Sequence, residues 1–433
     1  MLVRYSFKNF RSFYDTAEMS MVANSQTTLN SNLIRLNQKR FLPSAVIYGA
    51  NASGKSNVIL SLNILRSIIV NGSISSSNDI LNNMELYPFI YTNENKPISF
   101  EIEFINNNTH CLYILEINVE KLKRGSDRYI SKEELYLQSK TKKVLIYSRT
   151  KNSINISTEL SALRYMKTNS RFISEIQQKL NQNIDKSVLF LTGGFKSIIS
   201  GEIADCVISF FNDKLFIMDN FIAGSSRLKL TSNKSIEDEF ILWNEVLEKF
   251  VKGADFGPQK IFFKSNINAS DDRKVNMELY SQYSDGKHGA FVPAKIMESV
   301  GTLKMIDFAL LFMEFFQQGC VFIMDEFDSS LHPEIIKGII ALFNDPEVNK
   351  NASQLIFTTH NPIYLNNKIF RRDQIMFVEK DKDNFKSEIY TLADFGSTEV
   401  RNDENYLINY FKGKYSSMPY IDFSSVISQE DDE

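Results

Sequence analysis

Cysteine, histidine and uncharged apolar runs are what this chain has little of. Cys111, Cys206 and Cys320 are scattered without C-x-x-C spacing, which argues against a disulfide framework or a thiolate zinc site and fits a reducing compartment. His110, His288, His332 and His360 are equally dispersed, so no second metal cluster, and no nuclease site built on one, is apparent. The most apolar long stretch, residues 302–318, carries Lys304, Asp307 and Glu314, and Arg4 and Lys8 interrupt the apolar N-terminus. Neither a membrane span nor a secretory signal is therefore expected, and the expected location is the cytoplasm. Charge of one sign is missing too: 49 Lys+Arg against 52 Asp+Glu leave a net charge of -3. Bulk attraction to nucleic acid is thus absent, and any DNA contact needs a local basic surface. The rest is ordinary globular composition, 43% hydrophobic over 433 residues, enough for two or three structural units around a large core.

The most informative stretch is Gly49-Ala50-Asn51-Ala52-Ser53-Gly54-Lys55-Ser56, a complete G-x-x-x-x-G-K-S, with Asn57 next. It follows the apolar run Ala45-Val46-Ile47-Tyr48 and opens a segment whose apolar residues, Val58, Ile59, Leu62, Leu65 and Ile69, recur at helical spacing. Strand, glycine loop and helix in that order let backbone N–H groups and the positive helix N-terminus wrap an oligophosphate. Lys55 would reach the β and γ phosphates of ATP, and the Ser56 hydroxyl would ligate Mg2+.

Along the chain, Val3, Tyr5 and Phe7 alternate with Leu2, Arg4 and Ser6 as in a strand, residues 8–13 read as a turn, and a second short strand is expected at 18–23. Residues 71–83, rich in Ser and Asn, read as a loop. The runs 98–105, 110–119, 128–138 and 143–149 are β-leaning and separated by polar turns, which predicts an antiparallel sheet. Apolar residues at three- and four-residue steps over 158–182 and 234–252, the latter around Trp243, predict amphipathic helices. A further strand is expected at 275–283. The divisions that follow are 1–155, holding the glycine loop and the β lobe; 156–274, a mainly helical insert; 275–400, the second half of the nucleotide machinery; and 401–433, an extension whose acidic end, 429–433, is expected to fray.

Three more patterns bear on chemistry. Val321-Phe322-Ile323-Met324 reads as a strand buried on both faces, ending in Asp325-Glu326. Asp325 would hold hydrated Mg2+ and Glu326 would polarise a water for in-line attack on the γ-phosphate; without the other motifs, such a pair is ordinarily a solvated surface feature. Residues 354–358 form another apolar strand, followed by Thr359-His360-Asn361-Pro362. His360 is a candidate donor to the γ-phosphate and, taken alone, a satisfied structural residue. Ser299-Val300-Gly301-Thr302 precedes an apolar helix, 303–316, that Gly319 is suited to end. A serine there is ordinary N-capping and also a ready anion site.

Together these motifs resemble the ABC-type ATPase heads of the RecF, SMC and OLD group. In that likeness residues 49–56 correspond to Walker A, 321–326 to Walker B, 299–302 to the signature and His360 to the switch histidine. Lys8-Asn9-Phe10-Arg11-Ser12-Phe13 is similar to the group's N-F-R-S-F turn, which adds Arg11 to the nucleotide ligands, and 328–333 is similar to its D-loop. The resemblance implies an α/β fold: a P-loop head with a mixed sheet core and an antiparallel β lobe, split by a helical insert. It spans both ends of the chain, while residues 76–290 align with none of its motifs. Val300 and Thr302 stand where transporter-type proteins carry Gly and Gln, a variant resembling OLD-like defence ATPases, and no Q-loop glutamine aligns. Through Arg401-Asn402-Asp403, Tyr406, Tyr410, Gly413, Tyr415 and Pro419 the chain also resembles the RloA or AbiLi type of abortive-infection ATPase.

The resemblance implies a homodimer, or an assembly of dimers, in which one subunit's Walker motifs hold ATP and Mg2+ while Ser299 and Gly301 of a second close over the γ-phosphate. Glu326 would be the general base, with Lys55, His360 and Ser299 stabilising charge. Anti-phage defence with a separate RloB-like effector, thought to act as a nuclease, is the implied setting. Two other readings use the same residues. One is a scaffold that binds ATP and turns it over slowly. The other is a RecF-like repair ATPase on duplex DNA, for which Lys121, Lys123, Arg124 and Arg128, with Lys140, Lys142, Lys143, Arg149 and Lys151, form two basic clusters at expected turns.

Overall fold

The computed structural model describes residues 1–36, 38–74, 86–119, 128–138, 142–218, 241–243, 253, 258, 260–266, 276–284 and 289–415. The chain starts with β1 (Leu2–Lys8) and β2 (Ala17–Ser20), passes a small hairpin of β3 (Ile34–Leu36) and β4 (Lys39–Phe41), and enters β5 (Ser44–Tyr48) and the helix Lys55–Asn71. Then come β6 (Ile98–Asn106), β7 (Thr109–Asn118), β8 (Tyr129–Gln138), β9 (Lys143–Thr150) and β10 (Ile154–Ile156), each antiparallel to the last. β6 pairs back onto β1, giving one sheet ordered β10-β9-β8-β7-β6-β1-β2. The sequence dictates this lobe through alternation: Ile98, Phe100, Ile102 and Phe104 of β6 are buried and the residues between them are half-buried, the period of a sheet covered on one face.

Helices Leu160–Met166, Ser170–Gln182 and Gly201–Ser209 lead to β11 (Leu215–Met218). A separate antiparallel sheet holds β12 (Ile241–Trp243), β13 (Lys260–Asn266), β14 (Asn276–Ser284) and β15 (Gly289–Pro293). The helix Val300–Phe315, β16 (Val321–Met324), the helix Pro333–Asn344, β17 (Gln354–Thr358), β18 (Ile375–Lys380) and β19 (Ser387–Thr391) complete the core. That core sheet runs β11-β16-β17-β5-β18-β19, parallel throughout except for β19. Every residue of β5, β16 and β17 is buried, as strands covered on both faces must be. Ala45, Ile47, Ile323 and Ile356 pack with Val58, Ile59 and Leu62 of the helix that follows the glycine loop. Val46, Phe322 and Phe357 pack on the other side with Ile336, Ile340 and Phe343.

Several expectations change. The helix over 158–182 is broken in two, because Lys167 adopts φ 53° and Asn169 caps a new start by accepting from Phe172 N. Trp243 lies on a strand, β12, paired with β13; 234–240 and 244–252 are outside the described residues. The apolar spacing there had no way to register the neighbouring strand, and pairing overrides local periodicity. The span 156–274 also carries strands: β11 forms an edge of the core sheet and β12 pairs with β13, while its helical content includes the π-helical turns Leu191–Ile199 and Phe210–Lys214. The extension is folded to residue 415, with Tyr406, Tyr410 and Tyr415 buried in the core and the last two rings 6.1 and 5.6 Å from that of Phe377. Pro419 and the acidic end 429–433 lie outside the described residues, as does the loop of 71–83 beyond residue 74.

Candidate active site

β16, β17 and β5 lie side by side and parallel, with Met324 level with Phe357 and Phe357 with Val46. Each chain leaves the sheet at the same end, where ligands of open parallel sheets are held. Asp325 and Glu326, then Thr358 to His360, then the loop 49–54 thus converge from three adjacent strands.

The loop is shaped by close approach. A Cβ on Gly49 would stand 2.4 Å from Val378 O; Gly54 has φ +117°, and a Cβ there would be 2.9 Å from Ser387 Oγ and 3.0 Å from Ser12 Oγ. Ala52 also takes a positive φ, 60°, while Asn51 is exposed and Ser53 buried. Lys55, the first residue of its helix, is buried and donates from Nζ to Gly49 O (2.9 Å) and Ala50 O (3.0 Å), with His360 Nδ1 at 3.5 Å. Burial draws its pKa down to about 8, against the opposing pull of Asp325 and Glu326. Ser56 is exposed at the helix start. Asn57 Oδ1 accepts from Arg11 Nη1 (3.4 Å), and its amide donates to Ser12 Oγ (3.0 Å). From β19, Ser387 Oγ donates to Ser53 O (2.6 Å).

On the other side, the hydroxyl of Thr358 donates to Asp325 Oδ1 and accepts from Glu326 N (2.7 Å). Asp325 N donates to Met218 O at the end of β11 (2.9 Å). Glu326 sits at φ 46°, a conformation that costs a non-glycine residue free energy and recurs at functional sites. Its carboxylate is exposed, and Oε1 lies 3.7 Å from His360 Nε2. Burial, and then the Lys55 ammonium, lower the His360 pKa, which favours the neutral ring. Ser56 and Asp325 are oxygen ligands of the kind Mg2+ accepts while keeping several waters. Among the described residues no group of three or more His, Cys, Asp or Glu gathers into a different metal site.

Ser299 caps the helix Val300–Phe315, its Oγ accepting from Thr302 N (3.1 Å). Gly301 lies against the turn after β16, where a Cβ would be 2.1 Å from Ser330 O. Lys304, one turn on, is buried and donates to Glu326 O (2.9 Å), Ser329 O (3.3 Å) and Ser329 Oγ (2.7 Å). Thr359 Oγ1 donates to Asp328 Oδ2 (2.7 Å). The start of this helix is therefore tied to the 326–330 turn of its own chain, by the close packing of Gly301 and the hydrogen bonds of Lys304. Among the described residues no hydrogen bond joins Ser299 or Gly301 to residues 49–57, and Ser299 and Val300 face solvent.

Residues 44–366 match the model of a family described as "AAA domain, putative AbiEii toxin, Type IV TA system". The chain belongs to this family. Similar solved structures include an SMC head bound to the C-winged helix domain of ScpA, 13% identical over 90% of this chain and 97% of that one, with a TM-score of 0.40. The SMC head domain from Thermotoga maritima is 16% identical, over 90% and 98%, at 0.36. An Smc head with an extended coiled coil, bound to the C-terminal domain of ScpA derived from Pyrococcus furiosus, is 13% identical, over 90% and 96%, at 0.40. No curated protein matches. The family, the phosphate loop and the sheet order together make this a P-loop AAA domain of mixed α/β architecture. No helix among the described residues is long and apolar enough to cross a membrane.

In this AAA-domain chain, the sequence motifs gave no role to Lys304, Thr358 or Ser387, and named Ser12 only as part of the turn at residues 8–13. The one available signal was Lys304, a cation inside the most apolar helix. One basic cluster loses its strongest member: Arg149 is buried and donates to Glu133 Oε2 (3.3 Å), Val188 O and Asp185 O. Lys142 pairs with Glu159, and Lys151 lies 4.0 Å over the Tyr129 ring. Lys121, Lys123, Arg124 and Lys140 lie outside the described residues.

Proposed function

We propose that this chain binds ATP with Mg2+ at residues 49–57 and hydrolyses it, serving as the ATPase component of an anti-phage system that acts with a separate effector. The observation that carries the reading is the convergence of Lys55, His360 and Glu326, with Nζ–Nδ1 at 3.5 Å and Nε2–Oε1 at 3.7 Å, at the ends of three parallel strands. The glycine loop, Lys55 and the Arg11–Asn57 pair receive the triphosphate. Ser56 and Asp325 would hold Mg2+, which when bound offsets phosphate charge. Glu326, exposed and held in its turn by Thr358 and Lys304, is the general base, and His360 beside it donates to the γ-phosphate. Ser299 and Val300 present a capped helix start to solvent, with Gly301 buried directly behind them, and this start suits the triphosphate of a second copy, closed over by Ser299 and Gly301, which makes the working unit a homodimer or an assembly of dimers. Residues 1–155 and 275–400 supply the head, completed by the edge strand β11 from the inserted span 156–274, and 401–433 the extension, in a cytoplasmic protein. The family's description as a putative AbiEii toxin of a type IV TA system supports a defence role.

Glu326→Gln is the test. Turnover is expected to fall by about 10²-fold or more, with ATP still bound and dimers accumulating, and protection of cells against phage should be lost with it. Wild-type turnover in that variant refutes the base; undiminished protection alongside lost turnover refutes the link between hydrolysis and defence.

A further inference from the structure

A row of aromatic rings begins beside the glycine loop and has no part in the chemistry above. Ser387 N donates to Ser12 O (2.7 Å), joining the start of β19 to the turn after β1. Both serine hydroxyls stand against Gly54. Two residues outward from that junction on each chain are Phe385 and Tyr14. Phe89 and Tyr91 complete the row: Tyr14 to Phe89 is 5.4 Å between ring centroids, Phe89 to Tyr91 5.6 Å, and Tyr91 to Phe385 4.8 Å at 27°. Lys386 Nζ lies 4.2 Å from the Tyr14 ring centroid and pairs with Asp15 (3.3 Å). Tyr91 is 58% and Phe385 42% exposed. Phe385 is held out at φ 59° by a turn in which Asp381 Oδ1 accepts from Asp383 N and Asn384 N.

The direction of a bound nucleotide follows from the strand order. Glu326 and His360 mark the γ-phosphate end, on the β16–β17 side of β5, whereas β18 and β19 lie on the opposite side. A triphosphate seated with its γ end at His360 therefore leads its nucleoside towards the β18–β19 turn. Two residues of chain reach at most about 7 Å, which is the scale of a ribose beyond its α-phosphate. The surface reached there is aromatic and flanked by lysine, with Tyr91 and Phe385 stacked on one another and both exposed, the composition on which bases stack.

We propose that Tyr91 and Phe385, continued by Tyr14, form a shelf that stacks the purine base of the nucleotide whose phosphates occupy residues 49–57. The shelf selects a nucleoside triphosphate over a bare oligophosphate. It rests on the phosphate-binding reading above, and the test separates the two. Titration calorimetry with Mg2+ would compare ATP and inorganic tripolyphosphate on the wild type, on Tyr91→Ser combined with Phe385→Asn (asparagine tolerates the positive φ), on Tyr91→Trp, and on Lys55→Ala. The double variant should bind ATP about tenfold or more weakly and tripolyphosphate within about twofold of wild type. Tyr91→Trp should keep ATP affinity, while Lys55→Ala should lose both ligands. Unchanged ATP affinity in the double variant, with tripolyphosphate bound, overturns the shelf and leaves the phosphate site standing. Loss of single-stranded oligonucleotide binding with ATP affinity intact overturns it too, by giving the surface to nucleic acid. A wild type that binds neither ligand overturns both readings.

Discussion

Lys304→Met removes an ammonium and keeps most of the stem, so it tests whether the signature helix controls the Walker B turn. Three contacts disappear: those to Glu326 O, Ser329 O and Ser329 Oγ. Hydrogen bonds from a charged donor contribute about 1.5–3 kcal/mol each, but the sum overstates the loss because the buried ammonium also carries a desolvation penalty. Burial lowers the Lys304 pKa, against the raising influence of Asp328, Glu326 and Asp325, and Met relieves that penalty. A net destabilisation of about 1–3 kcal/mol is expected. The effect on catalysis should be larger. Glu326 is held at φ 46° by Thr358 on its N–H and Lys304 on its carbonyl, and a displacement of about 1 Å can cost 10²-fold in rate. Steady-state ATPase assays should therefore show kcat lowered by about 10²-fold with KM little changed, because the described hydrogen bonds of Lys304 go to Glu326 and Ser329 in the turn after β16 and not to the phosphate loop. Urea unfolding in parallel reads the stability term. Lys304→Arg should not restore turnover, since a planar fork does not fit three acceptors arranged around a point donor. A Met variant that is destabilised yet turns over at the wild-type rate would sink the argument that this ammonium positions Glu326.

Two other perturbations follow from the structure. Arg149→Met leaves the Glu133 carboxylate buried with its guanidinium partner gone, and should cost about 3–5 kcal/mol, read as a urea midpoint lower by more than about 1 M; low-salt DNA binding at the level of wild type is expected, and its loss in a protein of unchanged stability would return Arg149 to the surface. ATP affinity should fall as pH rises past about 8, the value to which burial brings Lys55. The sign is set by proton uptake: above that pH the free protein has lost the proton that the triphosphate-bound form needs, so each further pH unit weakens binding by up to about tenfold. Flat affinity from pH 7 to 9 would contradict it.

Most of the candidate site was legible because it is written in contiguous runs. Residues 44–56 and 321–326 each carry strand, turn and candidate functional group within a few positions, and the alternation of β6 to β9 survives because one face of that lobe is buried. Contributions from distant segments had no local mark. β11 enters the core sheet from a region that reads as helical, and its Met218 carbonyl receives Asp325 N. Ser387 braces Ser53 from 334 residues away. Trp243 shows the opposite failure: a helical spacing was present, and the strand pairing of β12 prevailed.

The placement of Lys304 also bears on how the two halves of the proposed site communicate. Gly301 is pressed against Ser330 O, and Lys304 grips Glu326 O and Ser329, so the start of the signature helix cannot move without moving the turn that carries the base. That start is also the surface left open, with Val300 63% exposed. In a dimer of the proposed kind, a second copy's triphosphate would meet this helix start, and the force of that contact would reach Glu326 through one turn of helix and one lysine. The same turn is tied to β17 through Thr358 and through the Thr359–Asp328 bond, the strand that delivers His360. Each active site would then report its occupancy to the base of the other through covalently short paths. It follows that Lys304→Met should weaken cooperativity between the two sites as well as turnover, whereas Thr358→Val, which leaves the Gly301–Ser330 and Lys304–Glu326 contacts of the helix start in place, should lower turnover in both copies and leave the Hill coefficient unchanged.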